Sequence, residues 1–143
     1  MLYGNAGMRR EKLRASMDEN EALRGRRVLV VEDEAMIAML VEDMLADLGC
    51  VVVGPAHRLE EAMELLASGS AVDVALLDVN LAGQPVFTLA DALRARRIPA
   101  IFATGYGEVG LRDVDRGAPV LHKPFRASDL ASALGEALGK AAG

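Results

Sequence analysis

Five residues able to do chemistry each follow closely on a short apolar run. Glu32 and Asp33 come after Val28-Leu29-Val30-Val31, Asp78 closes Val74-Ala75-Leu76-Leu77, Thr104 follows the run from Ile98 to Phe102, and Lys123 follows Ala118-Pro119-Val120-Leu121. If those runs are parallel strands, all five side chains leave at carboxyl ends, the edge at which open α/β sheets bind ligands. Carboxylates gathered there within about 4 Å would repel one another by ~4 kcal/mol per pair at an effective dielectric near 20. Such a cluster wants a divalent cation. Mg²⁺ suits it, being hard and content with one or two carboxylates plus waters and a substrate phosphate. The ammonium and the hydroxyl add donors aimed at the outer oxygens of a phosphoryl group, and the Asp78 carboxylate is then the nucleophile. Taken alone, Asp78 also reads as a turn or helix-cap residue.

The elements that must position these residues alternate from Arg26 onward. Arg27 to Val31 is a β-rich run, and Ile37, Leu40, Val41, Met44, Leu45 and Leu48 recur at helical spacing before Gly49 stops the helix. Cys50 to Val53 reads as the second strand, with Gly54-Pro55 turning the chain, and Leu59, Ala62, Met63 and Leu66 mark a second helix ending near Gly69. The strand that carries Asp78 is apolar throughout, as a strand covered on both faces must be. Pro85 sits where a helix starts, with Val86, Leu89, Ala90 and Leu93 on its inner face. The segment after Thr104 holds Gly105, Gly107, Gly110 and Gly117, which predicts a short or frayed helix. Pro119 suggests that the fifth strand lies at an edge, and Leu130, Ala133, Leu134, Ala137 and Leu138 line the last helix. Five such units predict an α/β fold with a doubly wound, five-stranded parallel sheet and helices on both faces.

Composition narrows the function classes. A chain of 143 residues with 52% hydrophobic residues supports one real core. Residues 1–24 alternate charged with small residues, and Leu13, Met17 and Leu23 are too sparse to bury a face, so this segment is expected to be a flexible tail ahead of a domain at 25–140. The net charge of −5 and the scattered Lys and Arg residues argue against a nucleic-acid surface. No apolar run approaches the roughly 18 residues of a membrane span, and no apolar segment follows Arg9, Arg10, Lys12 and Arg14 as a secretory signal requires; a cytoplasmic location with no membrane partner is expected. Cys50, the single cysteine, reads as a small core hydrophobe.

In their order and spacing, Val28-Leu29-Val30-Val31-Glu32-Asp33-Glu34, Leu76-Leu77-Asp78-Val79-Asn80, Thr104 and Lys123-Pro124-Phe125 resemble the receiver domain of bacterial two-component response regulators. The resemblance implies a sheet of order 2-1-3-4-5 and a single-domain response regulator that accepts a phosphoryl group on Asp78 from a sensor histidine kinase or phosphotransfer protein in a Mg²⁺-dependent phosphorelay. It also implies that Glu32, Asp33, Asp78 and the backbone carbonyl of Asn80 hold Mg²⁺, that Lys123 pairs with the phosphoryl oxygens, that Thr104 moves to hydrogen-bond them, and that a downstream protein reads the conformational change. Lys123-Pro124 is expected to be cis. One departure stands out: the aromatic switch residue usual in receivers three positions before the lysine is Val120 here, and the aromatic lies instead in Phe102-Ala103-Thr104-Gly105-Tyr106-Gly107. That stretch is similar to the FATGUY receivers of alphaproteobacteria, many of them stand-alone. It makes Tyr106 a candidate for the switch and partner surface, with an order change expected over Gly105 to Arg116.

Other classes compete. A phosphorylation-independent binding module would not need the complete residue set. A Mg²⁺-dependent phosphatase would need a second catalytic Asp two residues after Asp78, where Asn80 stands, and a flavodoxin-like protein would need a Ser/Thr/Gly loop in place of Glu32-Asp33-Glu34. His57 reads as a surface residue at a helix start, and His122 as turned away from Lys123. Glu60, Glu61 and Glu64 read as a solvated helix face, and Arg94, Arg96 and Arg97 as a charge set at a helix carboxyl end.

Overall fold

The structure is a computed structural model, and it describes residues 21–81, 83–105 and 110–142. Five strands, β1 (Arg27–Val31), β2 (Val51–Ala56), β3 (Val74–Asp78), β4 (Ala100–Thr104) and β5 (Val120–His122), pair in parallel as β2-β1-β3-β4-β5. The helices are α1 (Ala35–Asp47), α2 (Leu59–Ala67), α3 (Phe87–Ala95) and α4 (Ala127–Ala142). This is the expected order 2-1-3-4-5. Among the described residues no helix is long and apolar enough to cross a membrane.

Strand alternation divides the core into two layers. Val28, Val30, Leu76 and Ile101 pack beneath α1 and α4, meeting Val41, Leu45, Leu130 and Leu134. Leu29, Val31, Leu77 and Phe102 pack on the opposite face beneath α2 and α3, meeting Ala62, Leu66, Leu89 and Leu93. With both faces covered, every residue of β3 is buried, which is why its sequence is an unbroken apolar run up to Asp78.

Several local readings are corrected. Gly54-Pro55 does not turn the chain but lies inside β2, where the pairing with β1 slips between Leu29↔Val53 and Val31↔Ala56. Gly54 has φ +94°, and a Cβ there would stand 2.8 Å from the Ala56 nitrogen, so this bulge requires glycine. Pro85 does not begin a helix. It belongs to the two-residue strand Gln84–Pro85, paired antiparallel with Asn80–Leu81, and α3 starts at Phe87. Leu40, counted on the inner stripe of α1, is 58% exposed. Leu23, counted with the tail, is 1% exposed and packs in the core, where the Cys50 thiol donates to its carbonyl. Gly54-Pro55 and Lys123-Pro124 are both cis, the second as the resemblance implied.

The crossover from β4 to β5 contains, among its described residues, a 3₁₀ turn at Asp113–Asp115 and no α-helix. Its anchor is the buried Asp115 carboxylate. Arg94 Nη2 of α3 lies 2.5 Å from Asp115 Oδ1, and Arg112 Nε lies 2.7 Å from Oδ2. Arg112 also reaches Asp91 of α3 at 2.7 Å and sits 4.7 Å over the centre of the Phe87 ring. Arg94 is therefore committed to this network, while Arg96 donates to the Leu66 carbonyl.

Candidate functional site

Parallel register carries the chemistry to one edge. Val31 pairs with Leu77, so Glu32 emerges beside Asp78; Asp78 pairs with Ala103, so Thr104 follows; and Thr104 pairs with His122, so Lys123 comes next. The Lys123 N–H donates to the Thr104 carbonyl at 2.9 Å, tying the last two together. Oxygens of Glu32, Asp33 and Asp78 lie within 4.8 Å of one another, with Glu32 and Asp78 buried and Asp33 half-buried. Lys123 Nζ bridges them, 2.5 Å from Glu32 Oε1 and 3.3 Å from Asp78 Oδ2. The second oxygens accept from the chain itself: Glu32 Oε2 from the Glu34 N–H at 3.2 Å, and Asp78 Oδ1 from the Asn80 N–H at 3.3 Å.

The Asn80 carbonyl is presented by the small hairpin. Val86 N–H donates to the Val79 carbonyl at 3.3 Å, so the adjacent antiparallel pair Asn80↔Pro85 is of the non-hydrogen-bonded kind. Its main-chain groups point away from the partner strand. Since N–H and C=O of one strand residue share a side, the Asn80 carbonyl lies on the side whose N–H reaches the Asp78 carboxylate.

A match to the response regulator receiver domain spans residues 28–135. The chain belongs to the receiver-domain family. The transcriptional regulatory protein PdtaR of Mycobacterium tuberculosis is 37% identical over 113 residues, covering 76% of this chain and 55% of PdtaR. The phyllosphere-induced regulator PhyR of Methylorubrum extorquens is 30% identical over 115 residues, covering 78% of this chain and 43% of PhyR. The chain thus spans about half the length of the curated relatives it matches. Among solved structures, SdrG from Sphingomonas melonis Fr1 is 41% identical with a TM-score of 0.71, covering 80% of this chain and 96% of SdrG. The likeness to SdrG and PhyR supports the narrower resemblance drawn from Phe102 to Tyr106.

The receiver's site is electrostatically loaded. Burial pushes the Asp78 carboxyl up to about 7, the neighbouring Glu32 charge pushes the same way, and Lys123 and the Asn80 N–H oppose them only in part. Burial pulls the Lys123 ammonium down, but its hydrogen bond to Glu32 and the charge of Asp78 outweigh that and leave it raised. Receiver domains bind Mg²⁺ at an acidic pocket, and this donor set fits the ion: oxygen only, three carboxylates, and a carboxyl whose proton a cation would displace.

The raised Asp78 has a consequence for stability. Between its ordinary 3.8 and about 7 the folded protein holds a proton that the unfolded chain has released. The folded state binding more protons, stability falls as pH rises through that window and levels off above it. Metal-free protein melted at pH 4 to 8 should therefore lose stability relative to Asp78→Asn between about pH 4 and 7; parallel curves for the two proteins would show that Asp78 does not titrate so high.

Of the other expected site residues, Thr104 is buried at the end of β4 and Val120 is half-buried, paired with Phe102. Tyr106 lies outside the described residues. His122 is exposed, whereas His57, read as a surface residue, is half-buried with Nδ1 2.9 Å from the Glu32 carbonyl oxygen. No sequence pattern marks that contact, because it spans 25 residues and depends on how β2 ends.

Proposed function

We propose that this chain acts as a response-regulator receiver that takes a phosphoryl group onto Asp78 from a sensor histidine kinase or phosphotransfer protein. The observation that carries the reading is Lys123 Nζ lying 3.3 Å from the Asp78 carboxylate, inside a cluster of buried acidic groups at the carboxyl edge of the sheet. An Asp78 oxygen attacks phosphorus, a P–O bond forms, the P–N bond of phosphohistidine breaks, and its electron pair returns to the imidazole, which takes up a proton. Glu32, Asp33, Asp78 and the Asn80 carbonyl would hold Mg²⁺, which would supply positive charge to offset repulsion between Asp78 and the incoming phosphoryl group. Lys123 transfers its ammonium from Glu32 toward the new phosphoryl oxygens, and the Thr104 hydroxyl donates to another.

The signal leaves by way of the ends of β4 and β5 and the crossover between them: Thr104 moves toward the phosphoryl group, and Tyr106 and Val120 serve the surface for a downstream protein partner. The Arg94–Asp115–Arg112 network ties Arg112 and Asp115 of that crossover to α3, which restrains these two residues against the order change expected from the sequence. A cytoplasmic location suits this role.

The test is incubation with Mg²⁺ and a small acyl phosphate, followed by intact-mass measurement. One phosphoryl adduct, stable in acid and lost in base, is expected. A protein that stays unmodified yet retains a binding partner would be a phosphorylation-independent module instead.

A further inference from the structure

Both main-chain polar groups of Glu32 are taken up by the exit of β2. Its N–H donates to the Ala56 carbonyl at 2.9 Å, one step beyond the Val31↔Ala56 pairing. The next bond of an evenly spaced parallel ladder would run from the main-chain N–H of Arg58 back to the Glu32 carbonyl. Arg58 is instead the N-cap of α2, where the chain leaves the sheet. The His57 side chain makes the bond in its place, with Nδ1 2.9 Å from the Glu32 oxygen. A carbonyl only accepts, so Nδ1 carries the proton.

That carbonyl belongs to the peptide unit joining Glu32 to Asp33. The unit is planar and rigid, so holding its oxygen sets the direction in which the Asp33 Cα departs. Asp33 is the half-buried member of the acidic cluster, less enclosed by packing than Glu32 and Asp78. We propose that His57 is a positioning residue for Mg²⁺: through the Glu32 carbonyl it fixes the Glu32-Asp33 peptide, and so holds the Asp33 carboxylate where the ion needs it. The role rests on the reading of Glu32, Asp33 and Asp78 as the Mg²⁺ ligands. It requires an N–H donor at one position and no change of charge.

Two substitutions separate the position of the donor from the bulk of the ring. Asparagine carries its amide nitrogen where histidine has Nδ1, and glutamine carries its own where histidine has Nε2. Mg²⁺ is titrated calorimetrically into metal-free wild type, His57→Asn and His57→Gln, and the melting temperature of each is taken without metal. Groups that orient metal ligands typically contribute 10–100-fold to affinity, so Kd should rise about tenfold in His57→Gln and by no more than about twofold in His57→Asn. Equal Kd values in all three proteins would overturn the role, as would a lower melting temperature in His57→Gln with Kd unchanged, the signature of a merely structural tie. If the glutamine variant does not fold, His57→Ala replaces it under the same criteria. A wild type that binds no Mg²⁺ overturns the metal reading itself, and the role of His57 with it.

Discussion

Asp78→Asn is expected to abolish the phosphoryl adduct while leaving the fold unchanged. The amide has the shape of the carboxylate, so burial beneath Lys123 and the Asn80 N–H contact can persist, but the anionic oxygen that would attack phosphorus is gone. Glu32 is a poor substitute, because Lys123 holds its carboxylate at 2.5 Å, closer than the 3.3 Å that separates the ammonium from Asp78. The loss should therefore be complete rather than partial. Intact mass of wild type and variant after the same exposure to acyl phosphate and Mg²⁺ decides it, with circular dichroism as the check on folding. Labelling of the variant at the wild-type level would remove Asp78 from the chemistry.

Lys123→Met should produce the largest loss of stability of any change in the site. The side chain of Glu32 is 6% exposed and that of Asp78 is 11% exposed, and Lys123 lies within 3.3 Å of both. Methionine keeps the bulk of the stem and removes the charge, leaving buried carboxylates facing each other. Removing one partner of a buried ion pair costs about 3–5 kcal/mol. Mg²⁺ should restore part of this, about 2.7 kcal/mol at a hundredfold excess over its Kd. Because the competing ammonium is gone, the variant should bind the ion more tightly, so that its melting depends more steeply on Mg²⁺ than that of the wild type. Unfolding curves with and without the ion measure both effects. A metal-free variant as stable as wild type would mean that solvent already screens the cluster and that the bridge holds nothing.

The core and the site edge were legible because each rests on a strong local pattern. The run up to Asp78 is apolar at every position since both faces of β3 are covered, and a residue that ends such a run has only the sheet edge to occupy. Glu32 and Lys123 follow from the same logic applied to neighbouring strands. The misreadings arise where tertiary context overrides local preference. Gly-Pro favours a turn, but the parallel partner β1 keeps Gly54-Pro55 in the sheet as a bulge. Leu23 lacked periodic companions, and its burial comes from the contact with Cys50 that only the fold creates. Arg94 looked like part of a charge set at a helix end; its partner Asp115 lies 21 residues away and becomes buried only when the crossover packs against α3. His57 was missed for a similar reason: a side chain that replaces one rung of a ladder leaves no trace in sequence spacing.

The two flanks of the sheet limit how this protein can meet others. A parallel sheet exposes unpaired N–H and C=O groups along its outer strands, and another chain can add a strand to such a border unless something prevents it. Along β2 the bulge at Gly54 breaks the repeat and Pro55 has no N–H to offer. Along β5 the strand has only three residues and Pro119 stands immediately before it. Neither flank offers the run of evenly spaced donors and acceptors that strand addition needs. Chains crowded together in a cell are thereby kept from growing into one another through their sheets, and recognition is left to helices and loops.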